Sequence, residues 1–145
     1  MVGKGRSSAP FRASQSGASA VEFALLMPIY LLLVLGMLAY GIYFGAAHSL
    51  QQLAADAART AVAGLNTDER AQLVTEFVAR NAASYMLLDP EMLEVEPAQS
   101  PTDPSQYLVT MRYDASALPI WNLYPPIPLP ARTITHRSTI RHGGL

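Results

Sequence analysis

A long uncharged segment near the N-terminus dominates the hydrophobic pattern of the chain. Between Glu22 and Gly45, 22 residues follow one another without a charged side chain. A helix rises by about 1.5 Å per residue, so this segment would be about 33 Å long. Because the hydrocarbon core of a bilayer is roughly 30 Å thick, the pattern predicts a transmembrane helix, which we place at residues 18–47.

The apolar pattern then continues as an amphipathic helix outside the membrane. Leucine and alanine recur three and four residues apart, at Leu50, Leu53, Ala54, Ala57, Ala61 and Leu65. That spacing places them on one face of a helix. No helix breaker precedes Gly64, which we expect to end the helix.

A second helix is predicted to begin at Asn66. Asn66 and Glu69 have the spacing of a capping box, in which each side chain accepts a hydrogen bond from the backbone of the other. We expect Asp89-Pro90 to end this helix, because a residue before proline avoids the helical conformation. The expected buried face consists of Leu73, Phe77 and Ala83, supplemented by Val74 and Met86.

Alternating residues after position 90 predict three short strands, at residues 93–96, 107–113 and 132–141. Pro97 either ends the first strand or marks it as an edge strand. The uncharged, proline-rich segment 118–130 is expected to be a loop that packs on its own sheet or presents a partner-binding surface. The sequence therefore predicts an α+β fold, in which a small antiparallel three-stranded sheet packs on the outer helix.

Composition narrows the classes of function. The formal net charge is −1, which gives no sign of a nucleic-acid partner. The absence of cysteine excludes disulfides, thiolate metal sites and cysteine nucleophiles. The three histidines, His48, His136 and His142, are not part of a zinc-binding motif. We therefore expect no metal, no other cofactor and no enzymatic activity.

Charge is distributed unevenly around the apolar segment. Residues 1–17 carry Lys4, Arg6 and Arg12 and no acid, and basic residues beside a span favour the cytoplasmic side. We therefore expect a disordered basic cytoplasmic leader at 1–17, the transmembrane helix at 18–47 and an extracytoplasmic domain at 48–145. The segment is less suited to an ordinary signal peptide, whose apolar core is about 7–15 residues long.

Glu22 stands at the start of the apolar segment, five residues after Gly17. A carboxylate at the centre of a span costs on the order of 2.5–3.5 kcal/mol, and less near the interface. Glu22 either reaches the cytoplasmic headgroups or pairs with a cation. Cleavage after Gly17 would give Ala18 a new α-ammonium group, and pairing with Glu22 of a neighbouring copy would compensate both charges.

The string from Gly17 and Ala18 through Glu22 and Phe23 to Pro28 resembles the start of TadE-like proteins, the minor pseudopilins of the tight-adherence (Tad/Flp) pilus system. The resemblance implies that a prepilin peptidase cleaves between Gly17 and Ala18. It also implies that Glu22 and Phe23 serve peptidase recognition and assembly. The implied partners are the peptidase, other pilins or pseudopilins, and the lipid bilayer. The implied location is the bacterial inner membrane, with the C-terminal domain in the periplasm.

Three further residues are expected to shape the span. Pro28 cannot donate a hydrogen bond to the carbonyl of Ala24, so it should kink the helix. Gly41 and Gly45 form a small-xxx-small pair that would allow close helix packing. Glycine is also common in spans without such a role.

Two functional interpretations follow from the sequence. In the first, the chain is a minor pseudopilin that is processed after Gly17 and takes part in assembly of an adhesive pilus. In the alternative, it is an unprocessed single-pass membrane protein whose periplasmic domain is a binding or scaffolding module. The mature N-terminus distinguishes the two.

Overall fold

The computed structural model of the protein describes residues 13–123 and 128–141, with side chains from Gly17 onward. Helix α1 spans Ala13–Thr60 and α2 spans Thr67–Asn81; the strands are β1 (Leu93–Gln99), β2 (Gln106–Asp114) and β3 (Thr133–Arg141). Single turns of 3-10 helix lie at Ala61–Ala63, Ala82–Ser84, Pro90–Met92 and Ala115–Ala117. The predicted α+β class and element order are confirmed.

Helix α1 begins earlier than the sequence pattern suggested. It starts at Ala13, so the prediction of disorder is wrong for residues 13–17. Once a helix has formed, adding a residue costs far less than starting a new helix. The polar residues before Ala18 therefore extend α1 without an apolar face of their own. The rest of the predicted leader, with Lys4, Arg6 and Arg12, lies outside the described residues.

Gly64 ends the first helical segment as predicted, but for a steric reason. Its φ of −77° is accessible to any residue, so no left-handed cap is formed. A Cβ on Gly64 would lie 2.6 Å from Cγ of Arg70 and 2.9 Å from its backbone nitrogen. Leu65, expected on the buried face, is 88% exposed because the chain turns away from the helix at Gly64.

Helix α2 begins at the predicted cap. The Asn66 side chain accepts a hydrogen bond from the backbone N–H of Glu69 at 2.8 Å. The Glu69 carboxylate accepts one from the N–H of Leu65, also at 2.8 Å, one residue before the position expected for a capping box. The cap therefore fixes the turn between the two helices as well as the start of α2.

The predicted C-terminus of α2 is wrong, and its predicted buried face is right only in part: Val74 is fully buried and Phe77 packs against the core. Val74, Val78 and Ala82 are buried, whereas Ala83 and Met86 are exposed. The two faces differ by one residue, or about 100° around the helix, and both carry apolar side chains. The helix ends at Asn81, well before the predicted stop. Asp89 instead caps the 3-10 turn that leads into β1, by accepting a hydrogen bond from the N–H of Glu91 at 3.0 Å.

Strand β2 is the centre of an antiparallel sheet with the order β1-β2-β3. Strand β1 continues through Pro97, which pairs with Val109, to Gln99. Because β1 is an edge strand, the missing N–H of Pro97 can face away from the ladder. The predicted inner face of β2 is confirmed: Tyr107, Val109, Met111 and Tyr113 are all buried.

The core lies between this sheet and the C-terminal half of α1. Helix α1 contacts β2, β3 and α2, and α2 contacts β1. The fully buried residues of α1 are Ala39, Ala46, Leu50, Leu53, Ala54, Ala57 and Ala58. Small side chains on this face let the sheet approach the helix closely, so one helix serves as the spine of the domain.

The domain has a proximal end, near the N-terminal half of α1, and a distal end, where α2 begins and β1 ends. At the distal end, the hydroxyl of Thr67 at the start of α2 donates to the side chain of Gln99 at the end of β1, at 3.0 Å. At the proximal end, Leu87 reaches Gly45 and the carbonyl of Ala131 binds Tyr43. The proximal end faces the N-terminal half of α1, which extends beyond the domain.

Candidate membrane and assembly segment

The N-terminal half of α1 is not covered by the domain. From Gly17 to Leu38 no side chain is buried, and nearly all are exposed. The large apolar residues among them include Phe23 at 64%, Leu25 at 69% and Met37 at 77% exposure. Helix α1 is long and apolar enough to cross a membrane. Exposure of this much apolar surface indicates a lipid or protein environment around the segment.

Coverage by the domain begins at Ala39, which is fully buried. One residue later, the hydroxyl of Tyr40 donates to the carbonyl of Pro128 at 2.5 Å. The hydroxyl of Tyr43 donates to the carbonyl of Ala131 at 3.1 Å. These two bonds fasten the end of the proline-rich segment to α1. The sequence pattern gave no sign of these partners.

The predicted cleavage site lies near the start of α1. Gly17 and Ala18 are exposed, and a Cβ on Gly17 would meet no atom within 4 Å. The Gly17–Ala18 peptide bond is helical in this structure, so a peptidase that needs an extended backbone must first unwind the preceding turn. Glycine weakens a helix by about 1 kcal/mol relative to alanine, which favours local opening at this position.

Glu22 lies one helical turn after Ala18, on the same side of α1. Its side chain is exposed, as is that of Phe23. Among the described residues, none of the ion pairs involves Glu22; they join Arg59 to Asp56, Arg80 to Glu76 and Arg112 to Glu96. Glu22 is thus an exposed acid at the edge of an apolar surface.

Pro28 lies within α1, where its missing N–H leaves the carbonyl of Ala24 without its helical partner. The two glycines of the small-xxx-small pair have different surroundings. A Cβ on Gly41 would meet nothing within 4 Å, whereas one on Gly45 would lie 3.0 Å from Cδ1 of Leu87. The close approach at Gly45 is therefore used within the chain. A helix–helix contact between copies stays a prediction, and Gly41 has the free surface for it.

Leu87 belongs to a turn that sequence reasoning missed. Its φ of 63° is left-handed, which costs a residue other than glycine roughly 1–2 kcal/mol. The turn places Leu87 against Gly45 while its neighbour Met86 is 76% exposed. The hydroxyl of Tyr85 donates to the Asp56 carboxylate at 2.8 Å and holds the start of the turn on α1. Burial and this acidic partner raise the pKa of Tyr85 to about 12.

The proline-rich segment packs on its own sheet where it is described. Ile120 is fully buried, and Nε1 of Trp121 donates to the carbonyl of Ala115 at 2.6 Å. The guanidinium of Arg132 lies 5.2 Å from the Trp121 ring centroid, within range of a cation–π contact. These contacts favour the packing alternative for residues 118–123; residues 124–127 lie outside the described part.

Within residues 13–123 and 128–141, no group of three or more His, Asp or Glu side chains is placed to hold a metal ion. His48 is exposed on α1 and His136 is partly buried in β3, while His142 lies beyond the described residues. The chemistry that stands out is therefore that of α1 itself: an exposed apolar surface, one acid and a glycine before it.

Comparison with known proteins agrees with this emphasis on α1. The family model of TadE-like proteins matches residues 17–59. The match begins at Gly17 and ends one residue before the C-terminus of α1. No curated protein and no solved structure matches the chain. The resemblance predicted from the sequence is thus confirmed for residues 17–59, where the chain is similar to TadE-like proteins.

Proposed function

We propose that the protein is a minor pseudopilin of a Tad/Flp-type adhesive pilus, processed by a prepilin peptidase between Gly17 and Ala18. One observation carries the proposal. A single helix, α1, forms the spine of a folded domain in its C-terminal half. In its N-terminal half, at residues 17–38, it is exposed and apolar, and we call this part the rod. A protein built this way needs a membrane before assembly and packed helices after it, because both remove the rod from water.

Glu22 and Ala18 would connect the membrane-inserted state of α1 with its packing against other helices after assembly. In the uncut chain, Glu22 lies at the cytoplasmic face of the inner membrane and the basic leader keeps that end inside. Cleavage removes the leader and leaves an α-ammonium on Ala18. In a bundle of staggered copies or related pilins, this cation pairs with a neighbour's Glu22, so that neither charge is buried alone. Assembly is thereby linked to processing.

The periplasmic domain would lie at the outer end of this helix bundle. Its proximal turn and proline-rich segment are fastened to α1 by Tyr40, Tyr43 and Tyr85. The domain would therefore move with the helix when α1 leaves the membrane. We propose a structural role in assembly, with no catalytic step of its own beyond serving as a peptidase substrate.

Processing can be tested on the full chain with one epitope at each end. We expect the N-terminal epitope to be lost from the C-terminally tagged chain only when an active prepilin peptidase is co-expressed. Gly17→Leu should retain both epitopes, because a bulky side chain replaces the residue before the scissile bond. Immunoblots against the two epitopes provide the measurement.

Gly36→Leu is the matched control, since a Cβ on Gly36 also meets no atom within 4 Å. This variant should be processed like the unaltered chain. If the unaltered chain keeps both epitopes while the same peptidase cleaves another prepilin, the pseudopilin proposal fails. The unprocessed single-pass scaffold would then be the better description of the protein.

A further inference from the structure

The proximal end of the domain carries two uncharged segments that flank α1. Residues 85–88 read Tyr-Met-Leu-Leu, and residues 128–131 read Pro-Leu-Pro-Ala; together we call them the proximal rim. The first contacts α1 at Gly45 through Leu87, and the second contacts it at Tyr40 and Tyr43. Both segments therefore surround the part of α1 where the exposed rod enters the domain.

The length of uncovered helix is short for a bilayer. From Phe23, the residue after Glu22, to Leu38, the last residue before coverage begins, there are 16 residues. At about 1.5 Å per residue they span about 24 Å, roughly 6 Å less than the hydrocarbon core. If Glu22 stays at the inner headgroups, a full crossing extends to about Ile42, which lies between the two tyrosines that bind residues 128–131.

The rim has the exposed, uncharged side chains expected of a surface at the outer membrane interface. Met86 is 76% exposed, although its neighbour Leu88 is buried, and Pro128 is also exposed. The first charged residue after each segment, Asp89 or Arg132, comes where the chain turns back towards the sheet. Tyrosine at the edge of a span is typical of the interfacial region. The distal end lies further from the rod, because α2 separates it from residues 85–88.

We infer that the proximal rim is a lipid-binding surface that enters the outer headgroup layer of the membrane and seats the domain on the bilayer before assembly. The inference rests on the proposed function, because it requires α1 to be inserted. The partner is the lipid interface itself, bound through uncharged side chains and without recognition of a particular headgroup. The left-handed turn at Leu87, which leaves Met86 pointing away from the core, serves this contact.

Single nitroxide labels can measure the depth of the rim, because the chain has no native cysteine to interfere. The full chain is reconstituted in phosphatidylethanolamine–phosphatidylglycerol vesicles, with Met86→Cys or Pro128→Cys carrying the label. Collision with oxygen reports lipid, and collision with a water-soluble nickel chelate reports water. We expect both rim labels to collide with nickel several-fold less often than a label at Leu65→Cys, while oxygen collisions are retained.

Leu65 is a matched control, since it is an 88% exposed apolar residue at the distal end. Leu31→Cys, in the middle of the uncovered helix, reports insertion. If Leu31 is in lipid but the rim labels are as accessible to nickel as Leu65, the rim inference is overturned and the membrane span stands. If Leu31 itself is accessible to nickel, insertion and the proposed function fail together. Rim labels shielded from both reagents would indicate a protein partner and also overturn the inference.

Discussion

Gly64 is a position where the structure has no space for a side chain. The carbonyl of Gly64 accepts a hydrogen bond from Nε of Arg70 at 3.1 Å, which holds the start of α2 close to the end of α1. The backbone nitrogen of Arg70 would be 2.9 Å from an added Cβ, and backbone cannot move aside as a flexible side-chain end can. The need for glycine here comes from this close approach.

We therefore expect Gly64→Ala to lower the free energy of unfolding by roughly 1–3 kcal/mol, the usual cost of overpacking. Denaturation followed by circular dichroism in detergent would measure it. Gly36→Ala is the control, because a Cβ there meets open space and alanine favours a helix. Equal stability of Gly64→Ala and the unaltered chain would contradict the steric explanation.

Glu22 is the residue whose role depends on a second chain. We expect Glu22→Ala to insert into membranes normally, because removing a carboxylate from an apolar helix does not oppose insertion. The same variant should assemble poorly with other pilins, because the α-ammonium of a neighbour loses its counter-ion. Resistance to carbonate extraction measures insertion, and co-purification with the pilins measures assembly.

Glu94→Ala makes the matched comparison, since it removes an exposed acid from the sheet far from α1's N-terminus. That variant should assemble normally. Normal assembly of Glu22→Ala would remove charge pairing from the proposed mechanism and leave Glu22 as a residue that merely reaches the headgroups.

The packing of the turn after α2 shows how one hydrogen bond connects two elements. Tyr85 joins this turn to α1 through Asp56, whose other carboxylate oxygen binds Arg59 at 2.7 Å. Because the pKa of Tyr85 is raised to about 12 from 10.0, the folded state favours the protonated phenol. The resulting stability is fully present below pH 10 and is lost as the pH rises towards 12.

We expect Tyr85→Phe to unfold more easily than the unaltered chain by about 1.5–3 kcal/mol at neutral pH, the range for a hydrogen bond to a charged group. The difference should shrink between pH 10 and pH 12, as Tyr85 ionises beside the Asp56 carboxylate. Chemical denaturation across this pH range checks both points. Tyr30→Phe, which removes a hydroxyl from the exposed rod, should show no such pH-dependent difference; a constant difference for Tyr85→Phe would contradict the assignment.

The elements that could be predicted from sequence are those whose hydrophobic pattern is compatible with only one buried face or one start. The alternation Tyr107, Val109, Met111 and Tyr113 fixed the inner face of β2, and Asn66 marked the start of α2. The buried face of α2 was predictable only in part, because Leu73 and Val74 are adjacent and both apolar. Val74 is fully buried in the core, whereas Leu73 is only partly buried.

At the scale of the whole molecule, α1 combines two environments in one continuous helix. The sequence pattern showed the apolar run and the acid before it, which were enough to identify the resemblance. It did not show where the domain begins to cover the helix, because alanine and tyrosine at positions 39–43 suit a membrane and a core equally well. Packing by residues 128–131, distant in sequence, decides that boundary.

The family match covers α1 from Gly17 almost to its C-terminus, and so includes both the exposed and the buried part of the helix. In the proposed function, membrane insertion, processing and helix packing all depend on residues of α1. The position that connects these three proposed steps is the Gly17–Ala18 bond, since cutting it would remove the leader and create the cation for Glu22.

The mass of the mature N-terminal peptide tests this claim most directly. The protein should be isolated from membranes that contain an active prepilin peptidase, and its N-terminal peptide identified by mass spectrometry. A terminus that begins Ala18-Ser19, absent when Gly17 is replaced by leucine, is the expected result. A terminus at Met1 or Val2 under the same conditions would contradict the proposed processing and the assembly role built on it.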